Sequence, residues 1–284
     1  MTNAAMADLN PATTAAFLIY LLVILAIAVV AWRRTRGGSD YFLGGRSLSP
    51  TVAAISAAAS DMSGWLLLGL PGFAYLAGLE SIWIAIGLVV GVAANWRLVA
   101  ARLRNFSAQL DDAVTVPAYL ARRFNSRSRW LQPLAAVVIL LFFLFYVSAG
   151  LIGGGKLFNV VFGIDYQLAV LLGAAVILLY TLFGGFLAVS WSDLFQGLLM
   201  MAALVVVPLV VISLGSDGPQ RPLPPALLDP FSNASGESLG LLAIASSLAW
   251  GLGYFGQPHI LARFMAIRSA DEVALATRIG VFWS

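Results

Sequence analysis

Apolar segments of about 20 residues recur along this chain, and they constrain its fold more than any other feature. A helix of that length crosses the hydrocarbon core of a bilayer. Soluble domains carry about 25% charged residues, whereas this chain carries 10%. The pattern predicts an all-α polytopic membrane protein, a single membrane domain over residues 1–284, with spans near 14–32, 50–77, 81–100, 131–153, 165–187, 191–214, 238–262 and, incomplete, 271–284.

The basic residues predict how these spans are oriented. Lys and Arg concentrate in cytoplasmic loops, and all 16 basic residues except Lys156 and Arg221 fall on one side if the N-terminus lies outside. This count places Arg263 in the loop after the seventh span. Loop arginines at a lipid bilayer account for the net charge of +3, so no nucleic-acid partner is expected. Asp193, at a predicted turn between the fifth and sixth spans, is interpreted as a helix cap.

One carboxylate, Asp61, lies inside the second predicted span. Small residues such as Ala59, Ser63 and Gly64 surround it, and Pro71 follows. A charge at the bilayer centre costs about 2.5–3.5 kcal/mol, so an intramembrane acid is a functional hypothesis. Small residues let the backbone leave helical geometry and free its carbonyls. We therefore predict a broken helix with a cation site; the alternative is an aspartate that hydrogen-bonds a neighbouring helix.

The seventh predicted span is interrupted in the same manner. Trp250, Tyr254, Gln257 and Pro258 and three glycines lie within nine residues. Interrupted spans in corresponding places of two halves point to a transporter binding site, and a repeat of five helices separates the second span from the seventh. Aromatic rings can wall a small cationic or zwitterionic solute. The alternative is that each ring belongs to the core or to the membrane interface.

Three glycine motifs have simpler explanations. Gly150–Lys156 has the spacing of a phosphate loop, but Leu157 replaces the required Ser or Thr. Gly251–Gly256 has the spacing of a dinucleotide fingerprint, but it lies inside a membrane span. Gly87 and Gly91 have the spacing that lets membrane helices approach closely. We interpret this last pair as ordinary helix packing.

Five stretches of the chain resemble the sodium–solute symporter family, in particular its bacterial members that carry proline. The resemblance covers nearly the whole chain and implies a five-plus-five inverted-repeat core. The first span is then peripheral, spans two to six form the first repeat, and the seventh and eighth begin the second. The matching stretches are Asp40–Pro50, Ser60–Gly72, Trp83–Leu88, Gly184–Asp193 and Trp250–Met265.

The resemblance also implies roles for individual positions. Asp61 matches the acid needed for sodium coupling, and Ala59 and Met62 match residues that offer backbone oxygens to sodium. Arg46 matches an arginine that influences coupling. The positions that match residues affecting or surrounding bound proline are Ser63, Gly64, Trp65, Tyr146, Trp250, Tyr254 and Pro258.

The activity implied by the resemblance is sodium-coupled import of L-proline by alternating access across the bacterial cytoplasmic (inner) membrane. Sodium is co-transported and no bond is made or broken, so no enzyme is expected. In the family a ninth span completes the sodium site, so we expect this chain to be part of a longer protein whose C-terminal spans are missing here. The alternatives are a symporter for another solute, such as pantothenate, choline or a sugar, the membrane domain of a sensor protein, and an inert truncated product.

Overall fold

Helices form nearly all the regular structure in the computed structural model, which describes residues 11–61, 64, 69–125, 127–215 and 223–284. Among these residues, β-type pairing is confined to two isolated bridges, Leu48 with Ile267 and Ser232 with Ser238. The predicted all-α class is confirmed. In chain order the α-helices are α1 (Pro11–Arg34), α2 (Gly38–Leu43), α3 (Pro50–Asp61), α4 (Leu70–Ala77), α5 (Ile82–Asn95), α6 (Ala101–Gln109), α7 (Val116–Arg123), α8 (Leu131–Phe162), α9 (Tyr166–Leu214), α10 (Leu241–Leu248), α11 (Pro258–Ala266) and α12 (Val273–Trp283).

Four helical stretches in the described part of the chain are long and apolar enough to cross a membrane. They are α1, α8, α9 and the continuous stretch Leu70–Gln109, which contains α4, α5 and α6. Helix α8 is 32 residues long, yet Gly155 is its one buried residue. Apolar side chains left exposed along such a helix are suited to lipid, so the chain is a multi-pass membrane protein. The exact limits of the eight spans remain predictions.

The chain forms two compact units, and the first comprises the described residues up to 46 together with 117–192. Aromatic rings join α1 to α8 within it. The ring of Phe17 lies edge-on to Phe158, with centroids 5.2 Å apart, and 5.3 Å from Phe162. Such pairs stabilise helix contacts beyond the area they bury.

Helix α9 is interrupted at Gly185. The backbone there has φ 57° and ψ −150°, which is not helical. A Cβ at this position would lie 2.9 Å from Tyr41, so glycine is needed both for conformation and for space. The prediction that Asp193 caps a helix is wrong, because the interruption falls at Gly185 and Asp193 lies inside α9.

The second unit comprises residues 47–116 and 193–284, and its core lies where α3, α11 and α12 meet. The main chain of Leu48 pairs with the end of α11. Its amide donates to the Ala266 carbonyl (3.1 Å), and its carbonyl accepts from the Arg268 amide (3.1 Å). This pairing holds the start of α3 against α11. The largest fully buried apolar side chains of this core are Leu48, Phe264, Met265 and Ile267.

Two glycines let α5 touch the end of α10 and the segment that follows it. A Cβ built at Gly87 would overlap the backbone of Leu248, and a Cβ at Gly91 would overlap the backbone of Gly251. Only backbones without intervening side chains can approach so closely. The predicted packing role of Gly87 and Gly91 is confirmed.

We expect Gly91→Ala to lower the free energy of unfolding by about 1–3 kcal/mol, because the overlapping atoms belong to backbone and cannot rotate away. Thermal stability of the full-length protein in detergent measures the loss. Gly173→Ala is the matched control, since Gly173 lies in α9 with no atom within 4 Å of the added Cβ. Equal stability of the two variants would contradict this packing.

Candidate functional site

The polypeptide is not α-helical between α10 and α11. A 3-10 segment runs from Ala249 to Gly256, and Gln257 is extended with φ −77° and ψ 109°. Pro258 then begins α11, where its missing N–H leaves no helical hydrogen bond unmade. The predicted interruption of the seventh span is confirmed. Its cause is local, since glycine weakens a helix and proline cannot donate to the preceding turn.

Asp61 and Tyr254 meet at this interruption. The Tyr254 hydroxyl donates to Asp61 Oδ2 at 2.6 Å, although the residues are 193 positions apart. Tyr254 is only 5% exposed. Hydrogen bonds to an ionised carboxylate are among the strongest in proteins. The carboxylate is thus held in a defined orientation beside non-helical backbone.

Asn95, the last residue of α5, anchors the same segment. Its Nδ2 donates to the main-chain carbonyl of Tyr254 at 2.8 Å. Asn95 is 1% exposed. Because non-helical backbone leaves carbonyls without helical partners, this bond satisfies one that would otherwise be buried unpaired. Asn95 therefore helps to hold the conformation from which Tyr254 reaches Asp61.

A cavity of about 260 Å³ adjoins these residues. Asp61, Asn95 and Tyr254 line it, and its walls are otherwise mainly apolar. An apolar cavity with a few converging polar groups is the usual form of a small-molecule site. The other lining residues are Ala57, Ala58, Leu70, Ala85, Leu88, Val89, Val92, Trp96, Leu204, Ile260, Trp283 and Ser284.

A buried ion pair joins α9 to α11. It contacts the part of α3 that directly precedes Asp61. Arg263 Nη2 lies 2.6 Å from Asp193 Oδ2, and the two side chains are 4% and 12% exposed. Ser56 on α3 accepts from Arg263 Nε (2.6 Å) and donates to Asp193 (2.7 Å). Ser60, also on α3, donates to Asp193 at 2.9 Å. Buried charges persist only when paired and hydrogen-bonded, and both conditions are met.

The placement of Arg263 in a cytoplasmic loop is therefore wrong. Arg263 is 3% exposed, and its Nη1 donates to the His259 carbonyl at 2.7 Å. Sequence position alone could not separate it from solvated arginines such as Arg268, which is 54% exposed in its side chain.

The other predicted site residues lie in different surroundings. Trp250 is 49% exposed and is not part of the described cavity lining. Tyr146 lies on α8 in the first unit, with its ring 5.5 Å from Phe143. Ala59 lies on α3 facing Gly197 of α9. These three roles remain predictions.

Arg46 has a left-handed backbone, with φ 52°. Such a conformation is uncommon for residues with a Cβ and is found at functional sites. Gly64 is helical. Met62, Ser63 and Trp65 lie outside the described residues, and so does the predicted break of the second span after Asp61.

Asn95 was not assigned to this region from the sequence, and Arg263 was placed in a loop. The usable signal was the rarity of polar side chains in membrane spans. Asn95 is the one amide side chain of the third predicted span, two residues before Arg97. The partners of Asn95 and Arg263, however, lie far away in the sequence.

The fold and this site define a multi-pass membrane protein with an interrupted helix beside a half-buried acid. The protein-family model described as "Sodium:solute symporter family" matches residues 41–284 of this chain. The chain belongs to the sodium:solute symporter family.

Several relatives have names that specify a solute. The chain is 48% identical over 265 residues to the high-affinity proline transporter PutP of Bacillus subtilis, covering 92% of this chain and 55% of that protein. It is 47% identical over 274 residues to the sodium/proline symporter of Escherichia coli, covering 94% and 53%. It is 41% identical over 278 residues to that of Staphylococcus aureus, covering 97% and 54%. The chain spans about half the length of these relatives.

Proposed function

We propose that this chain is part of a sodium-coupled importer of L-proline that works by alternating access in the bacterial cytoplasmic (inner) membrane. The observation that carries the proposal is the Asp61 carboxylate, held by Tyr254 (2.6 Å) at an interrupted helix. Interrupted helices place main-chain dipoles and carbonyls where ions and solutes bind. The names of the relatives support sodium and proline as the transported pair.

Sodium binds at Asp61 in this proposal. The carboxylate supplies charge and oxygen, and the main-chain oxygens of Ala59 and Met62 supply further ligands. The remaining ligands come from the ninth span of the whole protein, as the resemblance implies. Ala59 and Asp61 both belong to the described part of α3.

Proline binds next to this ion, and the two affinities are coupled. Sodium holds the backbone near Asp61, so the solute binds more tightly to the sodium-loaded form, and the coupling is reciprocal. A monovalent cation moving inward gains about 2.3 kcal/mol per 100 mV, which drives proline against its gradient. The solute site comprises Ser63, Gly64, Trp65, Tyr146, Trp250, Tyr254 and Pro258, while Arg46 acts in coupling.

The N-terminus lies outside in this proposal. The arginines that remain in loops, such as Arg33, Arg34 and Arg36, then lie on the cytoplasmic side. In this proposal α3 and α10–α11 occupy equivalent positions of two inverted five-helix repeats.

Uptake by the full-length protein in proteoliposomes tests the proposal. We expect labelled proline to accumulate when sodium is higher outside, and not when potassium replaces sodium. Unlabelled proline should compete more strongly than pantothenate, choline or glucose. Stronger competition by one of these solutes would show that this solute, and not proline, is the substrate. Accumulation of proline without sodium would contradict the coupling.

We expect Tyr254→Phe to raise the sodium concentration for half-maximal uptake about tenfold, because the variant lacks a strong hydrogen bond that orients Asp61. Initial rates at increasing sodium concentration measure the change. Tyr75→Phe is the matched control, since Tyr75 lies on α4 and is 85% exposed. An unchanged sodium response in Tyr254→Phe would show that the hydroxyl has no part in ion binding.

A further inference from the structure

A buried acceptor without a hydrogen-bond partner lies at the cavity beside Asp61 and Tyr254. Asn95 lines this cavity and is 1% exposed. Its Oδ1 has no hydrogen-bond partner among the described residues. Leaving an acceptor buried and unpaired lowers stability, so such a group in a site calls for a functional explanation.

The orientation of the Asn95 side-chain amide is determined by the contact of its nitrogen. Asn95 Nδ2 lies 2.8 Å from the Tyr254 carbonyl oxygen. A carbonyl oxygen only accepts hydrogen bonds, so the NH₂ group must face it. Rotating the amide would place two acceptors together. Oδ1 is therefore the atom left to receive a donor from elsewhere.

The same cavity contains a polar group of the opposite kind. Trp283 on α12 lines it, and its Nε1 is buried without an acceptor among the described residues. The rest of the lining is mainly apolar, with Leu88 and Val92 of α5 among its residues. The cavity thus combines one unused acceptor, one unused donor and an apolar surface.

We propose that Asn95 Oδ1 accepts a hydrogen bond from the protonated amine of the transported solute, with Trp283 Nε1 donating to its carboxylate. Asn95 is then a specificity-determining residue that selects a zwitterion bearing at least one N–H on a small apolar body. The inference rests on the proposed function, since it assigns the amine contact of the solute carried at that site.

Competition in the full-length protein tests the contact. Uptake of labelled proline is inhibited by unlabelled proline or by N,N-dimethylproline, which keeps the positive charge but has no N–H. The readout is the half-inhibitory concentration of N,N-dimethylproline divided by that of proline. In Asn95→Leu we expect this ratio to fall about tenfold, the effect of losing one hydrogen bond to a charged group. Leu has the same branched arrangement of side-chain heavy atoms as Asn and is somewhat larger, so the substitution opens no space for the added methyl groups.

The ratio is taken within each variant, so it is independent of how much protein reaches the membrane. Asn95→Met repeats the test with a side chain that adapts to irregular packing. For a variant whose uptake is too slow to measure, displacement of bound labelled proline gives the same ratio. Asn159→Leu is the matched control: Asn159 also donates to a main-chain carbonyl, that of Ile164 at 2.7 Å, but it does not line the cavity.

If Asn95 only holds the Tyr254 carbonyl, both compounds weaken together and the ratio stays at the wild-type value, which overturns the inference. That result leaves sodium-dependent proline uptake by the wild type intact. Wild-type protein that does not accumulate proline with sodium overturns the proposed function instead, and the inference with it.

Discussion

Asp61→Asn abolishes sodium-stimulated proline uptake in the full-length protein, while the amount of protein in the membrane is unchanged. The substitution removes the negative charge that a cation requires. It keeps a side-chain oxygen that can accept from the Tyr254 hydroxyl, which lies 2.6 Å from Asp61 Oδ2 in the structure. An aspartate that only bridges two helices tolerates such a change, because an amide oxygen also accepts. Initial uptake rates with and without sodium, normalised to membrane protein, measure the result.

Asp165→Asn is the control for this substitution. Asp165 is exposed and accepts from the amides of Gln167 (3.0 Å) and Leu168 (3.1 Å) at the start of α9. Weakening a helix cap changes stability by about 1 kcal/mol, and we expect sodium-dependent uptake to persist. Unchanged sodium dependence in Asp61→Asn would refute the ion site.

Arg263→Gln lowers the free energy of unfolding of the full-length protein by about 3–5 kcal/mol, because it leaves the Asp193 carboxylate buried without its counter-charge. The neutral double variant, Arg263→Gln with Asp193→Asn, recovers a large part of that loss. Ser56 retains a hydrogen-bonding partner in the double variant, since amide side chains both donate and accept. Thermal unfolding in detergent, monitored by size-exclusion, measures the two single variants, Arg263→Gln and Asp193→Asn, and the double variant.

The exposed pair Arg268–Glu272 provides the comparison. Its side chains are 54% and 32% exposed with atoms 3.0 Å apart, and exposed pairs contribute about 0–1 kcal/mol. Arg268→Gln should therefore change stability little. A loss in Arg263→Gln no larger than that in Arg268→Gln, or a double variant worse than the sum of the single ones, would contradict the buried pair.

The sequence predicted the helical membrane class and the interruption of the seventh span from local chemistry. The glycines around Trp250 and the ring of Pro258 disfavour a regular helix wherever the chain runs. Asp61 stood out because ionised side chains are rare at membrane depth. Each of these signals can be recognised without knowing which distant residue the side chain contacts.

The predictions that were wrong depended on where an interruption or a loop falls in space. Asp193 was interpreted as a cap because a turn was expected beside it, whereas the interruption occurs at Gly185. Arg263 was counted with loop arginines because basic residues after a span are usually solvated. Its burial against Asp193 depends on how α11 packs on α3.

Composition and periodicity by themselves determined that this chain forms membrane helices, that one of them carries an acid, and that another is interrupted, since each is a property of neighbouring residues. Tertiary structure alone decided which polar groups meet. Asn95 bonds Tyr254 across 159 positions and Arg263 bonds Asp193 across 70. Bonds between distant residues follow from helix packing, and a single sequence does not encode that packing in any local pattern.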